Sequence, residues 1–210
     1  MRVYGDLGSG NCLKVRYTAD HLGLPYEWIP VDLAAGGTRT KSFLAKNPFG
    51  EVPLVEFDDG RFLAQSNAII VYLARDTELL PQDPFLRAKI DEWMFWEQYS
   101  HEPYVAVARF QMVYLRKKVS ELDVKTVEGG EKALDILERA LSGRAYLVGD
   151  KLTVADISLL AYTRLAHEGG FRLSHRPAIR KWIAQCERDL NISDEHSNER
   201  STAAGGARHG

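Results

Sequence analysis

Strand-like patterns are confined to the first 76 residues of this 210-residue chain, and this asymmetry limits the folds that it can adopt. Short β-branched and aromatic runs occupy RVYG (2–5), YEWIPVDL (26–33) and VPLVEFDDGRFLAQ (52–65). Within the last run, Asp59–Gly60 is typical of a hairpin turn. Helical patterns separate and follow these strands, so the sequence predicts a compact α/β unit with a mixed sheet.

Beyond residue 76 the hydrophobic periodicity is helical. The polar segment TELLPQDP has the composition of a linker, and Pro103 is expected to bend or break the first long helix after it. The helices are predicted at about 85–118, 127–142, from 153, and 176–189. We therefore expect an α/β domain at 1–78, an all-helical domain at 85–190 and a disordered polar tail at 191–210.

Composition excludes several classes of function. The formal net charge is only −2, and no lysine/arginine run indicates a nucleic-acid or membrane partner. The first residues lack the pattern of a signal peptide, and no apolar run approaches membrane-spanning length. The two cysteines, Cys12 and Cys186, are too far apart in sequence for a zinc motif, and a disulfide framework is not expected. A reducing cytoplasm is the expected location.

The loop GSGNCLKVR joins the first predicted strand to the first helix and carries three chemically capable residues, Ser9, Asn11 and Cys12. Ser9 lies nearest the strand end, where its hydroxyl can turn towards a ligand. Asn11 could contact the same ligand or cap the helix. Cys12 falls in the first helical turn, where a reactive thiol is conceivable, but a packing role is expected.

The stretch NPFGEVPLV (47–55) leads into the predicted hairpin. It is either a plain loop or a ligand-binding segment. In the second case a cis bond before Pro53 would turn the Val52 backbone outward to pair with an extended peptide.

The stretch QSNAI begins the next predicted helix. Ser66 is expected to cap this helix. The same helix start offers N–H groups to a ligand carboxylate, and the Gln65 amide could add a contact.

Two further stretches are interpreted as structural. In GDKLTVADISLL, Thr153 and Asp156 have the spacing of a capping box, with a stability role expected. The aromatic residues of EWMFWEQYSHEPYVAVARF, including Phe110, are expected to lie in the core or in a dimer interface rather than in a substrate pocket. His101 and Glu102 lack metal-ligand spacing, and a solvated or capping role is expected for them.

Taken together, the chain resembles the cytosolic glutathione S-transferases, specifically bacterial members with a Ser/Asn-type active loop. The resemblance covers about residues 2–190 and rests on SGNCLKVR, NPFGEVP, QSNAI and GDKLTVADI, in the family's order. It implies a thioredoxin-like N-terminal domain, an α-helical C-terminal domain and a homodimer. Glutathione would bind the first domain as co-substrate, with an electrophilic second substrate between the domains.

The resemblance also implies roles for individual residues. Val52, before the family's cis-proline at Pro53, would pair with the cysteinyl part of glutathione, while Gln65 and Ser66 would hold the γ-glutamyl end. The hydroxyl or amide donor to the sulfur would come from Ser9 or Asn11. Glu51 stands where several members have a lysine, so Arg39 and Lys41 are the candidates for the glycyl carboxylate.

The chemistry expected of such a site is thiolate formation followed by attack on an electrophile, with no metal. Free thiols have a pKa of about 8.5, and a donor together with a helix N-terminus would lower it. Conjugation to small apolar electrophiles is the first hypothesis. Glutathione-dependent peroxide or disulfide reduction is the second, and a non-catalytic adaptor is the third.

Overall fold

The structure, a computed structural model, describes residues 1–192. The chain forms two compact units, Val71–Cys186 and a second that joins Met1–Ile70 to the segment from Glu187. The tail predicted to be disordered lies outside the described residues, apart from its first two positions. Within residues 1–192, none of the helices combines the length and apolar character that a membrane crossing requires.

The first unit contains the predicted mixed sheet. Its strands follow the order β2-β1-β3-β4, with β1 parallel to β2 and antiparallel to β3, and β3 antiparallel to β4. The bounds are β1 (Arg2–Gly5), β2 (Glu27–Pro30), β3 (Leu54–Glu56) and β4 (Phe62–Ala64). β2 is shorter than predicted and ends at Pro30, whose nitrogen has no hydrogen to donate to a neighbouring strand.

Helices pack on both faces of this sheet because successive strand side chains point to opposite sides. The bounds are α1 (Gly10–His21), α2 (Lys41–Leu44) and α3 (Ser66–Leu73). Tyr4 and Leu54 cluster with Phe43 of α2 on one face. On the other face Gly5 lies so close to Cys12 of α1 that a Cβ would be 3.0 Å from the sulfur.

The helical unit holds α4 (Pro84–Trp96), α5 (Glu102–Val113), α6 (Val124–Leu141) and α7 (Val154–Thr163), and α8 (Pro177–Asp189) begins in it. The long helix predicted at 85–118 is interrupted, as expected from Pro103. The interruption is a π-helical turn at Glu97–His101, and Pro103 lies in the first turn of α5, where its missing N–H is tolerated.

Two adjacent glycines let aromatic rings approach α6 closely. A Cβ on Gly129 would lie 2.3 Å from Cδ1 of Tyr104, and one on Gly130 would lie 2.2 Å from Cζ of Phe171. Both distances are far below van der Waals contact. The glycines are therefore required by the packing of these rings.

The carboxylate of Asp156, near the start of α7, is buried and accepts several hydrogen bonds. It accepts from the Thr153 N–H at 3.0 Å and the Thr153 hydroxyl at 2.9 Å. It also accepts from the Leu147 N–H and from Nε1 of Trp182, each at 2.9 Å. The pairing of Thr153 with Asp156 confirms the predicted capping contact and extends it to two further segments.

Candidate functional site

Three chain segments carrying sequence-predicted site residues meet at one end of the sheet. The register places Tyr4 opposite Leu54, and Leu54 opposite Ala64. The loop after β1, the residues before β3 and the residues after β4 therefore lie at the same sheet end. This topology gathers Ser9 and Asn11, Val52 and Pro53, and Gln65 and Ser66.

A side-chain hydrogen bond connects two of these segments directly. The Ser66 hydroxyl donates to Oδ1 of Asn11 at 2.8 Å, which joins the first residue of α3 to the first turn of α1. Ser66 is almost fully buried. Because Oδ1 is the acceptor here, the NH₂ group is the end of the Asn11 side chain that can donate to a ligand anion.

The expectation that Ser66 caps α3 is wrong by one position. The Ile69 N–H donates to the carbonyl of Gln65, so Gln65 is the cap residue and Ser66 is already helical. Gln65 has a φ of 68°, in the left-handed region that residues other than glycine seldom adopt. Such conformations are concentrated at ligand-binding and active sites.

Ser9 and Cys12 form a second local pair. Ser9 precedes α1 with extended backbone, and its side chain is hydrogen bonded to Cys12. Cys12 is completely buried, and this burial raises the pKa of its thiol to about 12. Hydrogen bonds from the Asp6 N–H and from Ser9 oppose that shift. The thiol is protonated at neutral pH, as suits the packing role expected for it.

Asn47 fixes the segment before β3, a role that the sequence analysis missed. Its side-chain Nδ2 donates to the backbone carbonyl of Glu51 at 2.8 Å, and the backbone carbonyl of Asn47 accepts from the Gly50 N–H. The Val52–Pro53 peptide bond is cis. The Asn-Pro dipeptide, typical of turns, was the available signal for Asn47.

Arg39 is one of the two cations predicted to bind the glycyl carboxylate of glutathione, and it lies against the loop that precedes Val52. Its guanidinium covers Gly50, where an added Cβ would be 2.6 Å from Nη1. Gly50 is only two residues from Val52. Lys41 is exposed at the start of α2.

In the helical unit, the expectation of a solvated or capping role for the His101 side chain is wrong. His101 immediately precedes α5, but its side chain makes no capping hydrogen bond. His101 is completely buried, and its Nε2 lies 3.0 Å from the Thr163 hydroxyl. The π-helical turn directs this ring inward, which the α-helical periodicity did not reveal. Glu102 is half-buried, and its carboxylate accepts from Nε2 of Gln98.

Comparisons with known proteins agree with this architecture. Residues 8–76 match the family model of the glutathione S-transferase N-terminal domain, and residues 94–189 match that of the C-terminal domain. Glutathione S-transferase 3 of Zea mays is 31% identical over 87% of this chain and 86% of the maize protein.

Solved structures give the same result. A glutathione S-transferase from Pseudomonas fluorescens Pf-5 superposes with a TM-score of 0.86 at 48% identity, covering 89% of this chain and 94% of that one. A glutathione S-transferase from Xanthobacter autotrophicus Py2 gives a TM-score of 0.85 at 41% identity, covering 89% and 92%.

The fold is thus a thioredoxin-like N-terminal domain with a four-stranded mixed sheet, followed by a helical C-terminal domain. This confirms the fold class and the family resemblance drawn from the sequence. Both family models, the relatives and the solved structures lead to one conclusion: the chain belongs to the glutathione S-transferase family.

Proposed function

We propose that this protein is a glutathione transferase that conjugates the thiolate of glutathione to small, apolar electrophiles and thereby detoxifies them. The observation that carries the proposal is the hydrogen bond between Ser66 and Asn11. It holds the starts of α1 and α3 together at one end of the sheet, so that donors for a thiolate and for a carboxylate belong to a single site.

The γ-glutamyl end of glutathione is assigned to Gln65 and Ser66. The first N–H groups of α3 and the positive end of its dipole suit a carboxylate. The Val52 backbone is assigned to the cysteinyl part, as an extended peptide pairs with exposed backbone groups. Arg39, with Lys41 as second candidate, is assigned to the glycyl carboxylate because its guanidinium lies over Gly50 in the same loop.

Thiol activation is assigned to Ser9 first and to Asn11 second. Either side chain can donate to the sulfur, and a charge-assisted hydrogen bond stabilises the thiolate over the thiol. The N-terminus of α1 acts in the same direction. The thiolate then forms a carbon–sulfur bond with the electrophile as the leaving group departs with its electron pair, and no redox partner is needed.

Binding and turnover test the proposal together. Calorimetry with glutathione should give one site per subunit, and an aryl halide such as 1-chloro-2,4-dinitrobenzene should be conjugated. Ser66→Ala should weaken glutathione binding, because it removes the hydroxyl that contacts Asn11. Ser120→Ala, which removes an exposed hydroxyl elsewhere, should leave binding unchanged.

Each alternative has a distinct outcome in the same assays. Absence of binding at millimolar glutathione would contradict the proposal and favour an adaptor. Binding with reduction of a peroxide or a disulfide, but no conjugation of any aryl halide, would identify a glutathione-dependent reductase or peroxidase.

We also infer a homodimer that acts in a reducing cytoplasm. Both cysteines are buried free thiols, a state that a reducing compartment maintains. Three large side chains on α4 and the following turn are strongly exposed, which is typical of a surface that contacts another chain: Phe85, Phe95 and Tyr99.

A further inference from the structure

The α/β unit contains a cavity of about 220 Å³ between α2 and β2, the edge strand of the sheet. Its apolar wall is formed by Ile29, Val31 and Phe43. Phe43 belongs to the core cluster with Tyr4 and Leu54, and Ile29 and Val31 pack against that cluster, so the wall is held in place. The volume lies below the range of about 300–1,000 Å³ that is usual for small-molecule sites, so it suits a single ring or a short chain.

Lys46 adds a positively charged group to the lining of this cavity, beside Tyr4. Its Nζ donates to the Tyr4 hydroxyl at 2.7 Å and lies 3.5 Å from Oε2 of Glu56. The Tyr4 hydroxyl gives its own hydrogen to Glu56 at 2.6 Å, so the two contacts hold the ammonium in one position. The hydrogen bond to Tyr4 and the charge of Glu56 raise the pKa of Lys46, which is therefore charged at neutral pH.

One hydrogen of the Lys46 ammonium is left for a ligand. The group has three hydrogens, and within residues 1–192 only the Tyr4 hydroxyl and the Glu56 carboxylate accept from it or pair with it. The side chain is 32% exposed, so a ligand can reach it. Glu56 is also paired with Arg2, and two cations therefore share one carboxylate. The remaining positive charge favours an anionic ligand group.

Another part of the lining offers only hydrogen-bond acceptors. Asp32 is exposed, and its Oδ1 accepts from the Ala35 N–H at 2.9 Å. The single hydrogen of the Thr40 hydroxyl is directed at the carbonyl of Gly37, so the Ser42 hydroxyl donates to Thr40 at 3.2 Å. Ser42 therefore presents only lone pairs. A second anionic group on the ligand would be repelled here.

We propose that this cavity binds a small monocarboxylate with an apolar, single-ring body. The carboxylate accepts from Nζ of Lys46, and the ring contacts Ile29 and Phe43. A singly charged acid is preferred over a dicarboxylate, because a second carboxylate would meet Asp32 and the oxygen of Ser42. The site goes beyond the proposed function, because none of the residues assigned to glutathione lines this cavity.

Four benzene derivatives of different charge test the proposal: benzoate, benzyl alcohol, benzylammonium and terephthalate. Each is titrated by NMR into the isotopically labelled full chain without glutathione. Benzoate should bind about tenfold more tightly than benzyl alcohol, because its bond to Lys46 is charge-assisted. Benzylammonium and terephthalate should bind more weakly than benzoate. The amide shifts caused by benzoate should be centred on β2 and α2.

Variants identify the groups responsible. Lys46→Met keeps an unbranched side chain and should abolish the preference for benzoate over benzyl alcohol, whereas Lys46→Arg should retain it. Ile29→Ala should weaken the binding of both probes. Asp32→Asn keeps the Oδ1 that accepts from Ala35 and should reduce the preference for benzoate over terephthalate.

Lys125→Met provides the matched control, because it removes the charge of an exposed lysine from the helical unit and should leave the ranking unchanged. Three results would overturn the proposal: no binding of benzoate, binding of benzyl alcohol or benzylammonium at least as tight as that of benzoate, or an unchanged preference in Lys46→Met. Glutathione binding, measured separately, reports only on the proposed function.

Discussion

At the scale of single residues, Ser9 and Asn11 differ in what holds them, and this difference makes their roles separable. The Asn11 side chain accepts a hydrogen bond from Ser66, whereas the Ser9 side chain is hydrogen bonded to Cys12. We predict that Ser9→Ala raises the pKa of bound glutathione by about 1–2 units through loss of a donor to the thiolate. Thiolate absorbance measured against pH gives this pKa directly.

The matching variant Asn11→Ala decides between the two candidates. A larger rise in pKa with Asn11→Ala, and none with Ser9→Ala, would transfer the role to the asparagine. Loss of activity in Cys12→Ala alone would point instead to thiol–disulfide chemistry.

The pKa of Cys12 also makes stability depend on pH. Its folded value of about 12 exceeds the ordinary value of 9.0, so the unfolded chain loses this proton first as the pH rises. The contribution of Cys12 to stability is complete below about pH 9 and is lost towards pH 12, at roughly 1 kcal/mol per unit. The free energy of unfolding should be measured with urea at pH 8 and at pH 10.5. The difference between wild type and Cys12→Ala should be smaller at pH 10.5. The same difference at both pH values would show that folding does not raise the pKa of the Cys12 thiol.

At the scale of elements, the start of α7 depends on Asp156, which joins three segments. Burial raises the pKa of Asp156, while its hydrogen bonds oppose the shift. Thr153→Ala should lower the free energy of unfolding by roughly 0.5–2 kcal/mol. Asp156→Ala should cost more, because it leaves several buried donors unpaired. Chemical denaturation measures both, and glutathione binding to the folded protein should not change. Thr153→Ala with an unchanged melting temperature but no turnover would contradict the stability role.

At the scale of the whole molecule, the exposed aromatic side chains on α4 and the following turn bear on assembly. Phe95 is 75% exposed and Tyr99 is 85% exposed. If they form the dimer contact, Phe95→Glu should convert a dimer to a monomer, because a carboxylate would be buried unpaired. Sedimentation equilibrium distinguishes the two masses. Val124→Glu, at another exposed apolar position, should remain dimeric, and a wild-type monomer would contradict the inference.

The sequence predicted those features that local chemistry specifies. Asp59 and Gly60 are typical hairpin-turn residues, and they lie between the antiparallel strands β3 and β4. Thr153 and Asp156 are close enough in sequence to be recognised as a pair. The hydrogen bond from Ser66 to Asn11 joins residues that are 55 positions apart in the sequence, so only the folded sheet brings them together. Likewise, the π-helical turn changes which side chains face inward, and this is why the burial of His101 was not foreseen.

The close approach of the Tyr104 ring to Gly129 restricts the order in which this sequence can evolve. Alanine at position 129 would favour the helix by about 1 kcal/mol, yet its methyl group has no room while the ring is present. A lineage can therefore gain that alanine only after the residue at 104 has become small. The reverse order passes through a destabilised intermediate. Among related chains, glycine at position 129 and an aromatic residue at position 104 should accordingly be inherited together and lost together.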